Sequence, residues 1–427
     1  MKPRLVLDIA FLGHAHDAKS ARRGAQRVAS HLFDGLQAAG ELDLSYVATA
    51  HLAGAHDFLA ARNIEPKEKL FFRAGELRAS RISRHCAARY RAALGLPGIA
   101  ARLQRRLFAV SANFFARAEG VSEASCFAKA DLFHSPHTPF PDVVHEQKKL
   151  KKFITLHDFI PLKNPEYYQV DLRPLMDGVL RCLTPENFAL AVSNATRDDA
   201  LNLSKIRPEN IFVTPLAADP KIFRPEPDHQ RIAAVGKQFG IPAGPYFLAL
   251  SAHDRHKNFP HLIRCFGELV ESGELTDTNL VIVGSNPGLN PEVTEALARY
   301  PRAKPRVIVA GFVPDEDLAA IYSGATAFLF PSLAEGFGIP PLEAMQCGAP
   351  VIASNTTSMP EVIGDAGILL SPTDKDAWCQ NMLRVCRDES LRAKLRKKSL
   401  ERCRLFSWER FMAETLRGYR MALTGKF

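Results

Sequence analysis

The run EGFGIPPLE, residues 335–343, places two carboxylates, two glycines and two adjacent prolines on one short stretch of chain. Glu335 and Glu343 can accept hydrogen bonds from sugar hydroxyls. Gly336 and Gly338 let the backbone approach a ligand closely. Pro340 and Pro341 are preorganised for the start of a helix, where a missing N–H costs nothing. Such a helix start presents free N–H groups, here those of Phe337, Gly338 and Ile339, and a partial positive charge suited to phosphate. Two further residues carry chemistry. Lys257 offers a cation soon after the apolar run Tyr246–Ser251, and His157 ends the run 153–156 immediately before Asp158. Each has a plain structural counterpart: the helix dipole favours an acid such as Glu343, read here in the first helical turn, and a lone histidine at a strand end is usually structural.

These residues need elements to hold them. Short apolar runs alternate with helical patterns along most of the 427 residues. Runs at 5–12, 131–134, 153–156, 188–192 and 211–215 read as strands of a first series. Runs at 246–251, 280–284, 306–310, 327–330, 351–353 and 368–370 read as a second. Residues 24–39 have helical periodicity, and Trp408, Met412, Leu416, Tyr419 and Leu423 make one apolar stripe near the C-terminus. Strand-then-helix alternation predicts parallel sheets with helices on both faces, an α/β fold. Prolines 220, 225, 227, 242 and 245 mark the change between the series, because proline stiffens linkers and stops regular elements. Two doubly wound Rossmann-like domains are therefore predicted, 1–220 and 221–405, with 406–427 as a closing helix. The site falls in the cleft at the carboxyl edges of their strands.

Composition narrows the alternatives. The longest apolar runs, such as 325–330, fall far short of the roughly 20 residues a membrane-spanning helix needs. The opening MKPRLVLDIAFLG reads as a first strand rather than a signal peptide, because Asp8 interrupts its apolar run. The eight cysteines form no CxxC pair, which points to thiols in a reducing cytoplasm, with no metal site. The net charge is +9, and residues 62–117 alone carry thirteen Lys or Arg against three acids. Within that segment Ile99, Leu103, Leu107, Val110 and Phe114 recur at helical spacing beside Arg102, Arg105 and Arg106. The stripe is expected to pack on its own domain, while the basic face attracts an anionic membrane surface or an anionic acceptor. A nucleic-acid partner is not expected, since no zinc-finger, KH or RRM signature accompanies the charge.

Taken together, EGFGIPPLE resembles the Glu-x7-Glu donor motif of the retaining glycosyltransferases of family 4, of the bacterial polysaccharide and lipopolysaccharide type. Other segments follow the family order: FITLHDFIPLKNPEYY (153–168), AVSNATRDDAL (191–201), YFLALSAHDRHKNFPHLIRCF (246–266), GFVPDEDLAAIYSGATAFLFPS (311–332) and FSWERF (406–411). The resemblance implies the GT-B fold, and the basic 62–117 segment adds the expectation of a cytoplasmic enzyme that can sit peripherally on the inner face of the membrane. The resemblance also implies transfer of a sugar from a GDP-, UDP- or dTDP-sugar to a glycan or lipid-linked acceptor, with no tightly bound cofactor.

By that resemblance Glu335 binds donor-sugar hydroxyls, helped by Gly336 and the N–H groups at 337–339. Glu343 accepts from the ribose, Val313 reads the base through its backbone, Lys257 neutralises the diphosphate, and His157 lies at the reacting sugar. Gly24 matches the family's glycine-rich first loop, although only one glycine is present, and Arg22 or Arg23 beside it offers charge to an acceptor. Where the family carries an arginine five residues before the lysine, this chain has Ala252, with Arg255, His253 or His256 as substitutes. The triplet Asp315-Glu316-Asp317 reads as first-turn helix acids rather than a metal site. A nucleotide-sugar epimerase and a catalytically silent nucleotide-sugar binder are the competing readings. A dehydrogenase is excluded by the absence of GxGxxG in the first β–α unit.

Overall fold

The computed structural model describes residues 2–18, 24–93, 104, 106–108, 110–111, 124–251, 255–284 and 291–425. Two six-stranded sheets, all parallel, account for the strands. The first comprises β1 (Arg4–Asp8), β2 (Asp43–Val47), β3 (Leu132–Ser135), β4 (Lys151–Leu156), β5 (Phe188–Ala191) and β6 (Ile211–Val213), ordered 2-1-3-4-5-6. The second comprises β7 (Tyr246–Ser251), β8 (Asn279–Gly284), β9 (Val307–Gly311), β10 (Ala327–Phe330), β11 (Val351–Ser354) and β12 (Ile368–Leu370), ordered 12-11-10-7-8-9. Strand order reverses between β1 and β3 in one sheet and between β7 and β10 in the other. The gap between crossovers that leave in opposite directions opens a crevice at the strands' carboxyl ends.

The strands are continuous apolar runs because helices cover both faces, so β3, β10 and β11 are buried throughout. The first run departs from the prediction. The strand ends at Asp8, and Ala10–Ala18 is a helix. Asp8 is 2% exposed; its carboxylate accepts from the Ala10 amide at 2.9 Å, from Thr49 Oγ1 at 2.6 Å and from Thr138 Oγ1 at 3.0 Å. The Asp8 carboxylate takes the first amide of the helix, so Ile9 lies between the two elements, and Ala10 and Leu12 are on the buried face of the helix rather than strand residues. Strand β2 is amphipathic and partly exposed, and no apolar run announces it.

The segment joining the sheets is itself packed. Leu216, Ala217, Ala218 and Phe223 are buried, and Phe223 meets Tyr322 edge-on at 6.1 Å. The Trp408–Thr424 helix runs over the first sheet: Tyr419 lies against Phe153 and bonds His134 Nδ1 at 2.5 Å, and Trp408 stacks on His31 at 3.8 Å. Among the described residues no helix is long and apolar enough to cross a membrane. Of the basic 62–117 stripe, Ile99, Leu103 and Phe114, with Arg102 and Arg105, lie outside the described residues. Its two described members, Leu107 and Val110, are 63% and 62% exposed, so these do not pack on the domain as expected.

Candidate active site

The 335–343 segment follows the end of β10. Its loop is fastened by hydroxyls from the β11 side: Ser358 Oγ donates to the Phe337 carbonyl at 2.9 Å, and the Glu335 amide donates to Thr357 Oγ1 at 3.0 Å. Gly338 sits at φ +97°, in the left-handed region that favours glycine, and the helix Ile339–Gln346 starts directly after it. A Cβ at Gly338 would also lie 2.2 Å from Met359 Cε. Pro340 and Pro341 fall in the first turn as predicted. Glu343 does not: it lies in the second turn, because the left-handed Gly338 sets the helix start at Ile339.

Glu335 is held by residues of its own half. Lys257 Nζ donates to its Oε1 at 2.7 Å, and Ser332 Oγ donates to the same oxygen. The two side chains are only 15% and 11% exposed. Burial alone pushes the Glu335 carboxyl up, but Lys257, His256 and the Ser332 hydroxyl outweigh it and hold the carboxyl below its usual range. Lys257 follows β7 in a single 3-10 turn, Arg255–Lys257, and Phe330 of β10 lies under its ammonium at 5.0 Å. The neighbouring His256 is buried, and its carbonyl accepts the Leu333 amide at 2.7 Å.

The first half comes up against this loop at Gly336. A Cβ there would stand 1.9 Å from the His157 carbonyl oxygen, so only glycine permits the approach. Ser193 Oγ donates to the Gly336 carbonyl at 2.6 Å, with Thr196 Oγ1 at 3.3 Å. Ser193 also caps the Asn194–Leu203 helix, and Glu361 from the second half accepts from the Asn194 and Ala195 amides at 2.9 and 3.1 Å. His157 Nε2 lies 2.9 Å from the Pro136 carbonyl. A carbonyl only accepts, so Nε2 carries the hydrogen and Nδ1 is left as the acceptor. Burial pushes the His157 pKa down, which keeps the ring neutral. Burial pushes Asp158 up to about 6, against the Ile160 amide that donates to its Oδ1 at 2.9 Å.

Sequence reasoning missed three groups. Arg27, on the Gly24–Ala39 helix of the first half, bonds Glu343 Oε1 and reaches both Asp315 oxygens at 2.9 Å. Tyr322 Oη donates to the other Glu343 oxygen at 3.1 Å. Phe11, His137 and His157 form an aromatic wall on the first half, with ring centroids 4.0 and 5.3 Å apart. Helix spacing offered one sign of Arg27: it lies one turn after Gly24, which abuts Ile339 (a Cβ on Gly24 would lie 3.7 Å from Ile339 Cδ1).

Other predicted residues lie apart from Glu335. Arg255 turns to the Glu166 carbonyl at 3.4 Å and to Glu292 at 3.4 Å, across a cleft of about 400 Å³. Val313 is buried beside Phe312, which is 70% exposed. Asp315 starts a helix as expected, but it also carries the Arg27 contact. Among the described residues no cluster of three or more His, Cys, Asp or Glu could hold a metal. Arg22, Arg23, Ala252 and His253 lie outside the described residues.

Two doubly wound sheets, with a glycine–proline loop and helix start at the carboxyl edge of one of them, make up the GT-B fold. A family model for glycosyl transferases group 1 matches residues 236–402. O-antigen chain mannosyltransferase B of Escherichia coli is 30% identical over 292 residues, covering 68% of this chain and 74% of that protein. Serotype-specific mannosyltransferase WbdA of Escherichia coli is 30% identical over 264 residues, which are 60% of this chain but 32% of that protein. The structure of Anabaena HepE in complex with UDP and glucose superposes with a TM-score of 0.62 at 17% identity, covering 98% of this chain and all of that one. The chain belongs to the glycosyl transferases of group 1.

Proposed function

We propose that this protein transfers a hexosyl residue from a nucleotide diphosphate sugar to a hydroxyl of a surface or lipid-linked glycan, with retention of configuration and without a metal. The names of the curated relatives favour mannose as the sugar. The observation that carries the reading is the buried Lys257–Glu335 pair at 2.7 Å, placed where β7 and β10 end and facing His157 across Gly336. The units we adopt are 1–220 for the acceptor, 221–405 for the donor and 406–427 for the closing helix.

In this reading Glu335, kept ionised, accepts from hydroxyls of the donor sugar. Lys257 and the N–H groups of Phe337, Gly338 and Ile339 face the diphosphate and offset its growing charge. Asp315 serves as an ion partner of Arg27 rather than as a metal ligand. His157 Nδ1 accepts a sugar or acceptor hydroxyl hydrogen, and the Phe11–His137 wall lines the acceptor side. The bond from C1 to the diphosphate breaks and the bond from C1 to the acceptor oxygen forms on the same face. The acceptor proton passes to the departing phosphate oxygen. In this reading Asp158, whose Oδ1 accepts from the Ile160 amide, takes no covalent part. Closure of the halves at Gly336 limits hydrolysis by excluding water.

The test is single turnover with each of GDP-mannose, UDP-glucose and a dTDP-sugar, followed by NMR of the product's anomeric centre. Glu335→Gln lowers turnover at least roughly tenfold while the fold persists. An inverted product, or a sugar adduct trapped on Asp158 or Glu335, overturns the mechanism. Turnover without any acceptor points to an epimerase instead. The basic 62–117 segment is the proposed contact with an anionic membrane. Flotation with anionic vesicles at low salt checks it, and unbound protein rejects it.

A further inference from the structure

Arg27 reaches from the first half to Glu343 of the 335–343 segment. Its guanidinium is clamped from three sides. Asp315 takes Nη2 with both oxygens at 2.9 Å, Glu343 takes Nη1, and the Phe223 ring lies 5.6 Å below. Asp315 and Glu343 both belong to the second half, so this one side chain ties the halves together. Glu343 is 2% exposed. A carboxylate so buried needs a cation to stay ionised and hydrogen bonds to fix its plane. Arg27 supplies the cation, and Tyr322 Oη fixes the second oxygen. Two oxygens offer about four acceptor positions. Arg27 and Tyr322 fill one on each oxygen, so one lone pair per oxygen remains for a vicinal diol.

We propose that Arg27 is a positioning residue for the ribose end of the donor, holding Glu343 across the cleft as an acceptor for the 2′- and 3′-hydroxyls. The nucleoside pocket is therefore complete only when the two halves are closed. This rests on the reading of Glu343 as the ribose acceptor. It follows that the pocket discriminates ribonucleotides from 2′-deoxyribonucleotides, and that the discrimination depends on a residue outside the donor half. The opposite role, a latch that occupies Glu343 and must be displaced, predicts the opposite sign.

The experiment titrates GDP, UDP and their 2′-deoxy counterparts into the wild-type full chain and into Arg27→Ala, Arg27→Lys and Glu343→Gln, with thermal melts as a check of folding. Arg27→Ala is expected to weaken ribonucleotide binding at least roughly tenfold. It also brings the ribo-to-deoxyribo affinity ratio towards one. In turnover, the loss falls on the donor KM rather than on kcat. Arg27→Lys, which can reach only one carboxylate at a time, restores part of the affinity. Should Arg27→Ala fold poorly, Asp315→Asn loosens the same guanidinium without removing it and is expected to shift the ratio in the same direction. Unchanged affinity and ratio in Arg27→Ala overturn the proposal, and tighter binding establishes the latch instead. If Glu343→Gln also leaves the ratio unchanged, the ribose reading itself falls; if only Arg27→Ala does, that reading stands and the role of Arg27 is lost.

Discussion

Glu335 and Glu343 lie on one loop and helix, yet they are held in opposite ways. Glu335 is fixed within its own half by Lys257 and Ser332, both at strand ends of the second sheet. Glu343 is fixed across the cleft by Arg27, 316 residues away in the chain, with Tyr322 completing the contact from its own half. Burial works against ionisation at both. At Glu335 the local cation outweighs it. At Glu343 it does not, and the carboxyl stays above its ordinary value despite Arg27. In the function proposed here, the sugar end of the donor site is therefore built in advance, whereas the nucleoside end depends on how the two halves meet.

Removing the local cation is the strongest way to break that contrast. Lys257→Ala leaves Glu335 buried without its partner and, in the proposed function, deprives the diphosphate of a positive charge. Turnover is expected to fall about 10²–10³-fold and the melting temperature to drop, since a buried carboxylate loses its cation; initial rates at saturating donor are measured below the variant's melting point. A loss under threefold would place the diphosphate elsewhere.

The meeting of the halves is probed at Gly336. Gly336→Ala drives a Cβ into the His157 carbonyl, 1.9 Å away, a backbone contact that no side-chain rotation relieves. Activity is expected to fall roughly 10–100-fold, because misplacing reacting groups by about an ångström is that costly. Small-angle scattering should show a more open particle. Full activity with unchanged scattering would mean that the contact at Gly336 is not kept in turnover.

Asp158 sharpens the comparison from the acceptor side. Its carboxyl is pushed up to about 6 from 3.8, chiefly by burial. The folded state then binds the proton more tightly than the unfolded chain, so stability is lost as pH rises from about 4 through 6. Asp158→Asn removes that dependence. It should stabilise the protein at pH 8 relative to pH 4 by on the order of 2 kcal/mol, read from urea unfolding at both values. A difference of the opposite sign contradicts the burial argument.

The smallest effect is expected from Tyr322→Phe, which removes one hydrogen bond to Glu343 and leaves Arg27 in place. Nucleotide affinity should drop only about threefold by calorimetry, in keeping with one neutral donor. A loss as large as that of Arg27→Ala would show that the hydroxyl, not the guanidinium, orients Glu343.

The same contrast explains what the sequence disclosed. Parallel strands covered on both faces are continuous apolar runs, so β7, β10 and β12 stand at the predicted residues, and β4 starts two residues earlier than its apolar run. Ser193 caps its helix where Ser-x-x-Thr-Arg begins. Glu335 and Gly338 were readable because the loop and helix start that hold them carry their glycines, prolines and acids in one contiguous string. Contacts between distant segments leave no such string. Arg27 looked like one polar residue of an amphipathic helix, and Asp315 looked like an ordinary first-turn acid. The run after β1 misled for a local reason: Asp8, which appeared to interrupt a strand, ends the strand and starts a helix.

The central claim is the assignment of the two carboxylates to two parts of one ligand. Calorimetric titration of a nucleoside diphosphate and its sugar conjugate into Glu335→Gln and Glu343→Gln tests it most directly. The account predicts that Glu343→Gln weakens both ligands by the same factor, whereas Glu335→Gln weakens only the sugar conjugate. Loss of the free diphosphate in Glu335→Gln, or wild-type binding of both ligands in Glu343→Gln, would contradict it.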